Sequence, residues 1–101
     1  MSMTVENLVG LHVTDDAAYQ KYREGMLPIL AKYGGSFRYD FRVGETLHAE
    51  TPEPINRLFV ICFPDQKAKE EFFSNTEYLA VRKQFFEPAV AAVTILADYE
   101  R

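Results

Sequence analysis

Two residues in this chain can exchange a proton near neutral pH, His12 and His48. His48 stands in a polar run, Glu45 to Asn56, and His12 closes an alternating apolar segment. Either serves as a general acid or base if a pocket holds it. The plainer readings are a hydrogen-bonded strand-end histidine at 12 and a solvated one at 48. His48-Ala49-Glu50 has the H-x-E spacing of zinc deaminases, but the P-C-x-x-C partner is missing. His12, His48 and Glu50 make a two-histidine, one-carboxylate set with no supporting spacing, so no metal is expected. Cys62 lies inside an apolar run and reads as a buried, inert thiol. For ligand binding the candidates are Tyr39, Tyr78 and Arg82. Tyr78 and Arg82 are four apart, so they share one helical face, and Arg82 suits a bidentate carboxylate. Tyr39 shares an alternating face with Phe37, Phe41 and Val43, so its hydroxyl is expected in the same layer. The expected site thus has His48, or alternatively His12, for catalysis and Tyr39, Tyr78 and Arg82 for ligand binding. It lies between sheet and helices, near the long Glu45–Asn56 loop.

The elements that must position these residues follow from periodicity. Arg57-Leu58-Phe59-Val60-Ile61-Cys62-Phe63, closed by Pro64-Asp65, is apolar on both alternating faces from Leu58 on and predicts a central strand covered on both sides. Val5 to Val13 predicts a first strand, with Val5, Val9, Leu11 and Val13 on one face and Glu6, Leu8, Gly10 and His12 on the other. Tyr19, Tyr22, Met26, Ile29 and Tyr33 recur at helical steps after the capping run Thr14-Asp15-Asp16. Pro28 is expected to kink that helix or end its first half, and Gly34 to close it in the left-handed region. Ser36 to Val43 predicts a strand whose polar face carries Arg38, Asp40 and Arg42, residues suited to cross-strand or intersubunit pairing. A short strand at Thr46–His48 is conceivable on the loop. Asp65 caps a helix over Gln66–Phe73, with Lys67, Lys69, Glu70 and Glu71 facing water. Thr76 caps a third, and Val93 to Tyr99 alternates as the last strand.

The order β-α-β-β-α-(α)-β is a split βαβ pattern. It predicts an α+β, ferredoxin-like fold in one domain, residues 1–101. Right-handed crossovers put the first and third strands at the centre of a four-stranded antiparallel sheet, with helices on one face. The bare face would be too apolar for a monomer, so a homodimer through that face is expected.

Bulk properties narrow the function. In 101 residues, 48% apolar and 26% charged, there is room for one modest core. The net charge of −4, with Lys and Arg scattered, argues against nucleic acid as a partner. No apolar run approaches a membrane span, and the N-terminus lacks a signal-peptide pattern. One cysteine makes no internal disulfide, and a cytoplasmic location is expected. No nucleotide loop, triad spacing or metal cage appears, so no cofactor is expected.

Several stretches together carry a resemblance. Tyr19 and Tyr22 precede Tyr33-Gly34-Gly35. Arg57-Leu58-Phe59-Val60-Ile61-Cys62-Phe63-Pro64-Asp65 follows, then Phe72-Phe73-Ser74 with Glu77-Tyr78 and Arg82. In this order they resemble the domain of unknown function 1330 family, of the dimeric α/β-barrel superfamily, over nearly the whole chain. The family's frequent Glu-Gly pair before the third strand has no clear counterpart; His48-Ala49-Glu50 and a longer Pro-containing loop stand there. The resemblance implies a ferredoxin-like homodimer without an agreed activity. Superfamily relatives include cofactor-free monooxygenases, haem-degrading enzymes and muconolactone isomerase-like proteins. Two functional classes therefore stand: a cofactor-independent enzyme or binder of a small apolar molecule, and a non-catalytic association module.

Overall fold

The computed structural model describes residues 4–101. In chain order the elements are β1 (Val5–Val13), α1 (Asp16–Lys32), β2 (Ser36–Arg42), β3 (Arg57–Phe63), α2 (Gln66–Ser74), α3 (Thr76–Val81), a π turn (Arg82–Phe86) and β4 (Val90–Glu100). The strands form one sheet in the order β2-β3-β1-β4, with antiparallel neighbours throughout. This is the expected ferredoxin-like α+β arrangement, with β1 and β3 central.

Local chemistry sets the helix ends. Asp15 accepts from the Ala18 N–H and Asp65 from the Ala68 N–H, each worth about 1 kcal/mol. Asn75 serves two helices. Its N–H bonds to Phe72 O at the end of α2, and its Oδ1 accepts from Tyr78 N to open α3. The cap is therefore Asn75, one residue before the expected Thr76. Gly34, at φ +73°, ends α1 with paired bonds from Gly34 N to Ala31 O and Gly35 N to Leu30 O. Helix α1 runs through Pro28 without ending there. Pro28 is exposed, while the buried stripe of Tyr22, Met26, Ile29 and Leu30 continues on both sides of it. Packing thus outweighs the one lost hydrogen bond.

Both edge strands contain extra residues, one in β2 and two in β4, which changes which side chains share a face. Phe37 pairs with Ile61 but Tyr39 with Val60, so Arg38 is a bulge. Ile95 pairs with Val9 but Ala97 with Leu8, so Leu96 is another, and Ala92 pairs with His12 but Val90 with Val13, so Ala91 is a third. Phe37, Asp40, Val93 and Ile95 accordingly face the helices, whereas Tyr39, Phe41, Ala97 and Tyr99 face away. The simple alternation expected for β2 and β4 breaks at these points. Arg38 and Asp40 also part company: Arg38 bonds Glu6, and Asp40 pairs with Arg23 and Arg57.

The core lies between sheet and helices. Val9, Leu11, Val13, Ile61 and Phe63 pack against Tyr19, Tyr22, Met26, Ile29, Leu30, Phe72, Tyr78 and Phe86. Each such side chain contributes roughly 1.5–3 kcal/mol by leaving water. On the helix-free face, Leu8, Leu58, Val60, Tyr39 and Phe41 form an apolar surface, and Tyr39 and Phe41 remain half-exposed. Cys62, expected to be buried, is partly exposed on this face. Glu6 is fully enclosed there by Tyr99, Arg38 and Arg101.

The segment 43–56 has no regular structure, so no strand forms at Thr46–His48. It folds back beneath the helix-free face. A Cβ at Gly10 would lie 2.9 Å from Ile55 Cδ1, so glycine makes room for that side chain. Asn56 pins the segment by exchanging two 2.8 Å side-chain bonds with the Val13 backbone, while its N–H reaches Leu11 O at 2.9 Å.

Candidate functional site

A cavity of about 220 Å³ lies between the sheet and the helical layer. Val9, Leu11 and Ile61 supply its floor, and Tyr19, Tyr22, Met26, Tyr78 and Phe86 line it from the helices. Val93, Ile95 and Phe73 also line it and are substantially exposed, which makes an apolar mouth. The mouth exists because the Leu96 bulge turns Val93 and Ile95 toward the helical side, and no helix covers them fully.

The polar groups of this wall are few. Tyr22 and Tyr78 meet hydroxyl to hydroxyl at 2.9 Å, both buried. Burial raises both phenol pKa values, and the Arg82 charge opposes this at each. Both are therefore neutral O–H groups near pH 7. One proton joins the pair and the other is left to donate. Tyr19 Oη accepts from Arg23 Nε at 3.1 Å, so its own proton also lacks an acceptor among the described residues. Asn7 lines the cavity, and its Oδ1 accepts from Lys69 Nζ at 3.2 Å. An ammonium only donates, so this contact fixes the amide orientation and leaves the NH₂ group free. Lys69 was expected in water; it is largely covered, between Asn7 and Asp98.

Arg82 opens the π turn, in which Glu87 N bonds Arg82 O. Its guanidinium lies 4.8 Å from the Phe86 ring centroid, and it lines the cavity. Such turns insert one residue into a helix and often occur at functional sites. No Asp, Glu or His lines the cavity among the described residues. The arrangement can hold a hydrogen-bond acceptor, or stabilise negative charge on a ligand oxygen, within an apolar enclosure. It offers no carboxylate or imidazole as a general base.

The structure brings Tyr78 and Arg82 together, as their spacing predicts. It places the other three candidates elsewhere. Tyr39 lies on the opposite face of the sheet, half-exposed and stacked on Phe41, because the Arg38 bulge reverses the strand. His48 is exposed and lines a separate open groove with Glu45, Leu47, Ile55, Leu58 and Leu96, because its loop folds beneath the helix-free face. His12 pairs with Ala92 on that same face, half-buried. The single composite site expected from the sequence is thus divided by the sheet. Among the described residues, no group of three His, Cys, Asp or Glu is placed to hold a metal. Tyr22 and Asn7 were missed. Tyr22 read as core because its helical spacing is that of a packing residue, and nothing local marks Asn7.

The sequence matches the model of a family described as Domain of unknown function (DUF1330) over residues 7–99. The chain belongs to that family. No curated protein is similar to it in sequence. Among solved structures, a protein of unknown function from Rhodopseudomonas palustris is similar at 15% identity and a TM-score of 0.80. That match covers 100% of this chain and 82% of the other. A dabb family protein with a ferredoxin-like fold from Mesorhizobium loti matches at 16% identity and TM-score 0.67, covering 96% and 95%. A dimeric protein of unknown function and ferredoxin-like fold from Bacteroides fragilis matches at 17% identity and TM-score 0.61, covering 97% and 96%. These likenesses show that this DUF1330 chain has the ferredoxin-like fold. Among the described residues, no helix is long and apolar enough to cross a membrane.

Proposed function

We propose that this DUF1330 protein binds a small, mostly apolar molecule in the cavity between sheet and helices, without a cofactor, and does so as a cytoplasmic homodimer. The observation that carries the reading is the cavity itself: aromatic walls, an apolar mouth and a few polar groups at Asn7, Tyr22, Tyr78 and Arg82. A pure association module would have no need to leave its core unfilled, since an empty space of this size forfeits packing energy. At about 220 Å³ the cavity falls below the ~300–1,000 Å³ of drug-sized sites, so the ligand has one or two rings. Tyr78 and Arg82 are its polar contacts.

The homodimer is supported by the apolar helix-free face and by the dimeric relative of the same fold. Two such sheets packed together bury on the order of 2,000 Å². The lone cysteine supports a reducing compartment.

The test is an NMR titration that follows the Met26 methyl, which lines the cavity, against a panel of one- and two-ring aromatic molecules. Saturable shifts at Met26, abolished when Val93→Trp plugs the mouth, are expected. A Met26 methyl that responds to no member of the panel overturns the reading.

A further inference from the structure

The charge balance of the arginines points to the class of ligand. Six arginines occur in the chain. Five have carboxylate partners: Arg23 and Arg57 with Asp40, Arg38 and Arg101 with Glu6, and Arg42 with Asp16. Arg82 alone makes no ion pair or side-chain hydrogen bond among the described residues, although it is half-buried and lines the cavity. Its neighbouring acids, Glu77 and Glu87, are exposed and make no ion pair with it. A guanidinium partly withdrawn from water without a counter-charge is unfavourable, and a ligand anion relieves that cost. The rest of the wall agrees in sign. Asn7 presents an NH₂ group fixed by Lys69, and the Tyr22–Tyr78 pair retains one proton to donate. Arg82 is the charged member of the lining. The surrounding rings of Tyr19, Tyr22, Tyr78 and Phe86 lie tilted or edge-on to one another, at centroid separations of 4.8–6.4 Å. Such a set accepts a flat ring more readily than a branched aliphatic chain.

We propose that the ligand of this cavity is a small aromatic carboxylate, its one or two rings held among the tyrosines and Phe86 and its carboxylate paired with Arg82. This rests on the reading of the cavity as a ligand site and adds the charge and shape of what enters it. Arg82 acts as the specificity-determining residue. An Arg–carboxylate pair in an apolar wall is directional and charge-assisted, so it discriminates strongly against a neutral isostere.

The experiment measures binding of 2-naphthoate and of 2-naphthamide, its neutral counterpart of nearly equal shape, by calorimetry and by chemical-shift mapping. It uses the full-length protein and Arg82→Met, which keeps most of the apolar stem. Wild type is expected to bind the acid about tenfold or more tighter than the amide, with shifts centred on Tyr78 and Phe86. Arg82→Met is expected to lose that preference, the acid losing about tenfold or more in affinity and the amide much less. Equal affinity of acid and amide for wild type overturns the proposal and leaves the cavity reading standing, as does an acid preference that survives in Arg82→Met. Shifts of the acid mapping away from the cavity overturn it as well. Failure of both compounds to bind wild type overturns this proposal together with the cavity reading. The wild-type comparison decides the matter even if the variant does not fold.

Discussion

Tyr22 and Tyr78 stand 56 residues apart in the chain and share one buried hydrogen bond of 2.9 Å, the polar contact that ties α1 to α3 across the aromatic cluster. Removing one hydroxyl strands the other in an apolar wall, whereas removing both leaves two packed rings. Tyr22→Phe or Tyr78→Phe alone is therefore expected to cost about 1–3 kcal/mol, and the double variant less than the sum of the two. Urea unfolding of the four proteins in the cycle checks this; strict additivity would contradict the shared bond.

The helix-free face makes a second expectation. Phe41 is half-exposed there, so Phe41→Glu disturbs little of the protomer's own core. It should nevertheless separate the subunits by placing like charges at the contact. Sedimentation velocity at micromolar concentration is expected to show a wild-type dimer and a folded, monomeric variant. A wild-type monomer would remove the dimer from the proposed function.

Cys62 lies on the same face. Burial and the nearby Glu6 charge push its thiol pKa up, so the reactive thiolate is scarce at neutral pH. Labelling of native protein by a thiol reagent is expected to be far slower than in denaturant, and faster in Phe41→Glu than in wild type. Equal rates in the folded and unfolded chain would refute this.

Acid should loosen the sheet at Glu6. Burial by itself would raise this carboxyl, but hydrogen bonds from Tyr99 and Arg38, the Arg38 charge and Arg101 outweigh it and hold its pKa below the ordinary glutamate range. A carboxylate whose folded pKa is depressed contributes its full stability above the unfolded value, and loses it as pH falls through the folded one. Wild-type Tm should thus fall below about pH 4.5, and Glu6→Gln should lower Tm by a few degrees at pH 7 while flattening that acid decline. An unchanged acid slope in the variant would show that other carboxylates set it.

Much of this architecture can be read from residue order. The bounds of β1 and β3, the caps at Asp15 and Asp65 and the left-handed Gly34 follow from local signals that tertiary contacts did not override. Tyr78 and Arg82 were legible as a pair because four-residue spacing survives up to the start of the π turn. The two edge strands were not. Phe37, Tyr39 and Phe41 are apolar alike, so periodicity cannot report that a bulge at Arg38 sends the first to one face and the others to the opposite one. Nor does any periodic signal say that the loop bearing His48 folds under the sheet. That depends on Gly10 leaving room for Ile55, a contact across 45 positions of sequence. Asn7 gains its role only through Lys69, brought to it by the packing of α2.

The bulges at Arg38, Ala91 and Leu96 and the π turn at Arg82–Phe86 each add one residue beyond what a regular element would need. Length differences in a protein of this design can therefore be absorbed inside strands and helices rather than in the connections between them. An alignment that confines its gaps to loops would then pair residues from opposite sides of the sheet, equating Tyr39 or Tyr99 with side chains that face the helices. Comparisons of outer-strand positions with relatives need gaps placed inside the elements, and the partner on the central strand, such as Val60 for Tyr39, is the marker that places them.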